Sequence, residues 1–240
     1  MFAWRSDTAG LTRAVTDRWG GISTGAFAEL NLGPHVGDAP AAVAENRSRL
    51  TAALALEPGR LVFMRQVHGT VVAEVTGAAQ GPEPQADALV TRAPDLGLAV
   101  MVADCLPLLL TDEEGGVVAV AHVGRAGLKD GLIGETIAAM RDLGAGAVQA
   151  TLGPTICAAC YEVPRAMQEE VTAVTPGAGA VSRAGTPALD IAAGAVAQLV
   201  GLGVPATAGQ GCPREQPGQF SYRRDGRTGR FAGVVVRRST

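Results

Sequence analysis

The spacing of apolar and polar positions predicts short strands first and amphipathic helices later. Residues 61–75, LVFMRQVHGTVVAEV, predict two short Val- and Phe-rich strands around His68-Gly69, where the glycine permits a turn or bulge. LGLAVMVADCLPLLLTD (96–112) predicts one buried strand that ends near Pro107, because proline cannot donate to a ladder. A two-residue period along it puts Ala99, Met101, Ala103 and Cys105 on one face. GGVVAVAHVG (115–124) predicts the next strand, with Gly115-Gly116 as the turn and Val118, Val120 and His122 on a common face.

Helical periodicity then takes over. Leu132, Ile133, Thr136, Ile137, Met140 and Leu143 recur as one stripe, and Gly144 stands where a helix stops. A second stripe, Ile191, Ala195, Leu199 and Leu202, follows Asp190, a suitable N-cap. Gly/Pro-rich residues 77–85 and 176–187 read as loops, and neither marks a break between domains. Strands grouped ahead of helices indicate an α+β fold with mixed sheets, as a single domain over residues 1–240.

Composition narrows the function. The chain has 240 residues, 47% of them hydrophobic, and a formal net charge of −3. It therefore lacks the cationic field that nucleic-acid binding needs. No apolar run reaches the roughly 20 residues of a membrane span, and the N-terminus has no secretory pattern, so a cytoplasmic protein is expected. The four cysteines are then expected as thiols.

Asp104 and Cys105 stand in an otherwise apolar run, where ionisable groups are costly unless paired, metal-bound or chemically employed. Two of the three histidines, His68 and His122, fall at the ends of strands flanking Cys105. Imidazole and thiolate are natural zinc ligands, and three of them with a vacant fourth corner is a catalytic arrangement. Their long separations are not a chelate signature, however. The same residues also read as ordinary core and strand-end side chains, or as a Cys105 nucleophile activated by His122. Cys157 and Cys160 form an isolated CxxC, a weak metal signal and equally a pair of thiols in a tight loop. SYRRDGRTGR (221–230) gathers Arg223, Arg224, Arg227 and Arg230 around two glycines, a segment suited either to anions or to a solvated loop.

In order and spacing, RQVHG (65–69), ADCLP (103–107), HVGRAG (122–127), GPTICAACYEV (153–163) and FSYRRDGRTGR (220–230) resemble the YfiH/laccase-domain family. That family includes peptidoglycan editing factors and was long labelled polyphenol oxidase. RWGGIS (18–23), LNLG (30–33) and ENR (45–47) extend the resemblance over nearly the whole chain. It implies an α/β/β/α layered sandwich and a zinc site at His68, Cys105 and His122, with Asp104 a supporting carboxylate. It also implies phosphorolysis of adenosine, inosine, guanosine and methylthioadenosine, with deamination of adenosine. On that reading Arg125, Arg223 and Arg224 orient phosphate, and Asn31 and Gln66 read base or ribose edges or else cap loops.

Two segments depart from the family pattern. HVGRAG stands where HAGWRG is usual, so Arg125 replaces an aromatic and Ala126 an arginine; GPTICAACYEV stands where GPCIGPCCYEV is usual, leaving Cys160 as the matching cysteine. A multicopper oxidase is disfavoured, since three histidines without a His-x-His pair cannot build a trinuclear cluster, and any copper is expected to be adventitious. Two other readings compete: a cysteine-dependent hydrolase or amidase editing cell-wall precursors, and a nucleoside-binding protein whose site has lost turnover.

Overall fold

The computed structural model describes residues 1–240 apart from Ala9, Glu113, Gly115, Ala208, Gln210 and Thr240. The chain opens with strands β1 (Phe2–Asp7) and β2 (Leu11–Thr16), then helix α1 (Pro40–Ala53), then strands β3 (Leu61–Val62), β4 (Val72–Glu74) and β5 (Ala88–Thr91). Three long strands follow, β6 (Leu96–Val102), β7 (Leu106–Asp112) and β8 (Val117–Val123), and after them α2 (Arg125–Asp130), α3 (Leu132–Asp142), β9 (Gln149–Leu152) and α4 (Arg165–Val174). The rest is β10 (Gly179–Val181), β11 (Pro187–Leu189), α5 (Ile191–Gly201), β12 (Ala206–Thr207), α6 (Tyr222–Asp225) and β13 (Phe231–Arg237).

Two mixed sheets carry the fold, one in the order β1-β2-β13-β6-β3 and the other in the order β12-β9-β7-β8-β5-β4, with β10 and β11 forming a separate hairpin. Their facing sides share a core that includes Leu98, Val100 and Val102 of β6, Leu109 of β7, and Val118 and Val120 of β8. The other face of the six-stranded sheet packs on helices: Leu108, Leu110, Ala119 and Ala121 meet Ile133, Ile137 and Met140 of α3 and Ala195 and Leu199 of α5. On the opposite outside, Leu50 of α1 covers Ala99, Met101 and Val234. The result is the expected α/β/β/α stack, in which the strands buried on both sides are near-continuously apolar because each face meets a core. Among the described residues, no helix is long and apolar enough to cross a membrane.

The helices over 132–142 and 191–201 form as their stripes predict. Gly144 closes the first with φ +90°, and Asp190 caps the second by accepting from Ala193 N–H at 2.9 Å. The strand over 117–123 also forms and pairs antiparallel with its predecessor. Of its predicted turn residues, Gly116 takes φ +66° and Gly115 lies outside the described residues.

The strand expected to run from Leu96 to near Pro107 instead ends at Val102, and a second strand, in the other sheet, begins at Leu106. After Val102 the chain leaves one sheet, Asp104 adopts φ +101°, and at Leu106 it enters the other. Cys105 therefore belongs to a crossover and does not continue the Ala99–Met101 face. Pro107 is no terminator either: it stands second in β7, opposite His122, and its carbonyl accepts from Gly153 N–H at 2.9 Å. Residues 176–187, expected as loop, include β10 and lead into β11.

Candidate metal centre and its cavity

Three segments of different origin meet at one end of the sheet sandwich. His68 lies in the connection between β3 and β4 with φ +61°, Cys105 on the crossover into β7, and His122 near the end of β8. The β7–β8 register pairs Leu106 with Val123, so the next positions outward, Cys105 and Gly124, are brought side by side. A side-chain carbon on Gly124 would stand 3.2 Å from Cys105 Sγ and 3.1 Å from His68 Cδ2, closer than ordinary van der Waals contact, so glycine leaves these two side chains room. Cys105 Sγ is 3.9 Å from His68 Nε2, and the two imidazole rings meet edge to face with centroids 4.6 Å apart. One ligating atom from each of the three residues lies within 4.8 Å of the others.

Asp87, just before β5, organises this meeting, and nothing in its sequence context singled it out. It is fully buried and accepts from the backbone N–H of Val67, His68 and Gly69 at 3.2, 2.9 and 2.7 Å. Its Oδ1 also lies 2.9 Å from His122 Nδ1. Hydrogen bonds to a charged acceptor contribute about 1.5–3 kcal/mol each. Together they outweigh the roughly 1–3 kcal/mol cost of the left-handed conformation at His68. Burial alone would raise the Asp87 carboxyl, but hydrogen bonds from His122, Gly69 and Val67 hold it below its ordinary value. With Nδ1–H committed to Asp87, His122 presents Nε2 towards Cys105, the orientation a metal ligand needs.

The charges respond accordingly. Burial opposes ionisation of the Cys105 thiol, but the charge and hydrogen bonds of His122 and His68 bring it down to about 6. Burial likewise opposes protonation of His122, and the Cys105 thiolate and Asp87 push it up to about 9. These opposite shifts favour a thiolate–imidazolium pair near neutral pH, and a cation bound there would take the place of the imidazole proton. Two imidazoles and a thiolate, converged and braced from behind, suit zinc by donor chemistry.

A cavity of about 410 Å³ opens onto these ligands, and its lining includes His35, Gln66, Tyr161, Arg125, Arg223 and Arg230. That is the size of a small-molecule site. Burial, and then the charge of Arg230, lower the pKa of His35. All three histidines of the chain thus reach one cavity. Arg125 opens α2 and has no hydrogen-bond or ion-pair partner among the described residues, whereas Arg223 stacks over Tyr161 at 5.1 Å and donates to the Glu162 carbonyl at 3.2 Å. Gln66 lines the cavity but spends its amide on β6, donating to Met101 O at 2.7 Å and accepting from Met101 N–H at 2.9 Å.

Two residues expected to touch substrate do not line the cavity. Asn31 is fully buried; its amide donates to Asp38 at 2.9 Å and accepts from Gly33 and Arg230 N–H at 3.0 and 2.9 Å, so it staples a loop. Arg224 holds the 213–219 segment by donating to the carbonyls of Pro213, Gln216 and Gln219, and pairs with Asp225. Arg230, counted in the sequence only as one of a basic run, takes a place in the cavity wall. Asp104 answers for its burial structurally: it accepts from Ser221 Oγ at 2.7 Å and from Arg223 N–H at 2.6 Å, anchoring α6 beside the candidate metal centre.

A family model described as multi-copper polyphenol oxidoreductase laccase matches residues 12–238. The chain is 48% identical to a purine nucleoside phosphorylase of Streptomyces coelicolor over 98% of its own length and 99% of the relative's. It is 38% identical to purine nucleoside phosphorylase YfiH of Escherichia coli, covering 94% and 93% of the two chains. The crystal structure of Neisseria meningitidis protein NMB0706 superposes with a TM-score of 0.87 at 36% identity, covering 98% and 99%. With fold, motif order and full-length similarity in agreement, the chain belongs to the YfiH/laccase-domain family.

Proposed function

We propose that this protein is a purine nucleoside phosphorylase that also deaminates adenosine, with zinc held by His68, Cys105 and His122. Relatives named purine nucleoside phosphorylase at up to 48% identity support the general activity. The observation that carries the reading is the convergence of two imidazoles and a thiolate, backed by Asp87, on the floor of a cavity whose other walls carry Arg125, Arg223 and Arg230. Zinc bound there supplies a Lewis acid that activates water or polarises the purine.

The chain's own residues account for the rest. Ile156, Ile191 and Tyr161 give the purine an apolar wall, and the three arginines bind and orient phosphate. In phosphorolysis a phosphate oxygen bonds to C1′ of the ribose while the bond from C1′ to the base breaks. The bonding pair leaves with the purine, which then takes a proton. Negative charge thus grows on the base as the sugar becomes cationic, so cationic groups near the base stabilise the transition state. The substrates expected are adenosine, inosine, guanosine and methylthioadenosine.

Chromatography of adenosine and inosine reactions tests this on protein of known metal content. Free base and ribose 1-phosphate are expected only with phosphate, and inosine from adenosine without it. The His122→Ala variant should lose zinc and both activities together; full turnover by metal-free protein contradicts the reading.

One observation favours a second reading. Cys105 Sγ sits beside two imidazoles in an arrangement that also makes a nucleophile, as in a cysteine-dependent hydrolase or amidase. Metal-free protein that is active and is inactivated by thiol alkylation would select it.

A further inference from the structure

The three cysteines outside the cavity lie together. The Cys157-x-x-Cys160 pair spans a 3-10 turn in which Cys160 N–H donates to Cys157 O at 2.9 Å. Facing it, Cys212-x-x-Glu215 makes a second turn of the same kind, with Glu215 N–H donating to Cys212 O at 2.9 Å. Three sulfurs and a carboxylate oxygen stand within 4.8 Å of one another. Cys160 and Cys212 are buried together with Ile156, and Glu215 closes the solvent side. Two facing turns, each offering ligands three residues apart, are how a structural zinc site is assembled.

Burial and the neighbouring thiols push the Cys157 and Cys160 thiols up, so an ion bound there displaces their protons. Cys157 N–H donates to Cys212 Sγ at 3.3 Å, and Cys160 Sγ lies 3.6 Å from Glu215 Oε1. Arg183 pairs with Glu215 Oε1 at 2.5 Å, and Arg214 donates to Cys160 O at 3.3 Å, so two guanidiniums at the rim offset the negative charge of the donor set. A carboxylate has two oxygens, so Glu215 can ligate through one and keep Arg183 on the other.

We propose that Cys157, Cys160, Cys212 and Glu215 form a second, structural zinc site, separate from the His68, Cys105 and His122 centre and closed by four protein donors. Binding forms three zinc–sulfur bonds and one zinc–oxygen bond and releases the three thiol protons to solvent. The ion ties the two turns behind one wall of the cavity. The first turn is flanked by Ile156 and Tyr161, which line the cavity; the second is held to α6, and so to Arg223, by Arg224 donating to Pro213 O at 2.7 Å and Gln216 O at 3.0 Å.

Zinc counting and zinc X-ray absorption on the Cys105→Ala protein, isolated under reducing conditions and loaded with zinc, test this. That variant removes the first site's sulfur, so zinc–sulfur scattering reports the second site alone. One retained zinc is expected, with three sulfurs at about 2.3 Å and an oxygen at about 2.0 Å. Adding Cys160→Ser should abolish that signal. Absence of zinc–sulfur scattering, its persistence in the double variant, or a disulfide among Cys157, Cys160 and Cys212 in the freshly isolated protein would overturn the proposal. The absorption measurement leaves these four residues unaltered, so it stands even if the Ser variant fails to fold.

Discussion

At the scale of single residues, the site depends on two side chains that ligate nothing. Asp87 fixes the ring of His122 and the backbone of His68 at once, and Gly124 leaves room for Sγ and an imidazole. Replacing Asp87 by Asn keeps the volume but removes the charge that holds Nδ1–H. Zinc affinity should fall about 10–100-fold, as read by competition with a chelating indicator. Gly124→Ala should also weaken zinc binding, by crowding, and leave the circular dichroism spectrum unchanged; unaltered affinity would show that the ligands can shift. A pH dependence follows from the Cys105 thiol being brought down to about 6. Protein stripped of metal should be alkylated at Cys105 with half-maximal rate near pH 6, against about 8.5 for an ordinary thiol. The thiolate is present above that pH and lost below it, and zinc should protect it. A midpoint near 8.5 would mean that the imidazoles do not stabilise the thiolate.

At the scale of elements, legibility depended on whether a segment's partners were local. The helices over 132–142 and 191–201 show their buried stripes directly, because helix periodicity is written into neighbouring residues. The run 96–112 looks like one strand because both halves are buried on both faces, and hydrophobicity alone does not reveal a change of sheet. Asp104 was the visible irregularity in that run, and it marks the crossover. Its carboxylate holds Ser221 and Arg223, more than a hundred residues away, a pairing no local pattern encodes. Asp104→Ala leaves the buried Ser221 hydroxyl and the part-buried Arg223 N–H without their acceptor. A loss of about 1–3 kcal/mol is expected from denaturant melts, with a rise in the phosphate KM as α6 loosens. Wild-type stability in that variant would mean that the anchor is dispensable.

At the scale of the whole molecule, the two sheets bring together what the sequence keeps far apart. The family resemblance named His68, Cys105 and His122 as a set, whereas their separations alone carried no such information, since the β7–β8 register and the crossover create their proximity. Asn31, read as touching substrate or else capping a loop, and Arg224, read as a phosphate ligand, both brace loops beside the cavity, because a polar residue in a shared motif looks the same whether it touches ligand or backbone. The cluster of Cys157, Cys160 and Cys212 was hidden for a related reason: the third cysteine and Glu215 lie beyond α5, and their turn meets the CxxC only in the folded chain.

The central claim is that one divalent ion sits among His68, Cys105 and His122 with a corner left for reactant. Anomalous diffraction at the zinc absorption edge from crystals of the zinc-loaded protein tests it most directly. A peak about 2.3 Å from Cys105 Sγ and about 2.0–2.1 Å from an imidazole nitrogen of each histidine, with a non-protein fourth ligand, is expected. No peak there, or a fourth ligand from the protein itself, would contradict it.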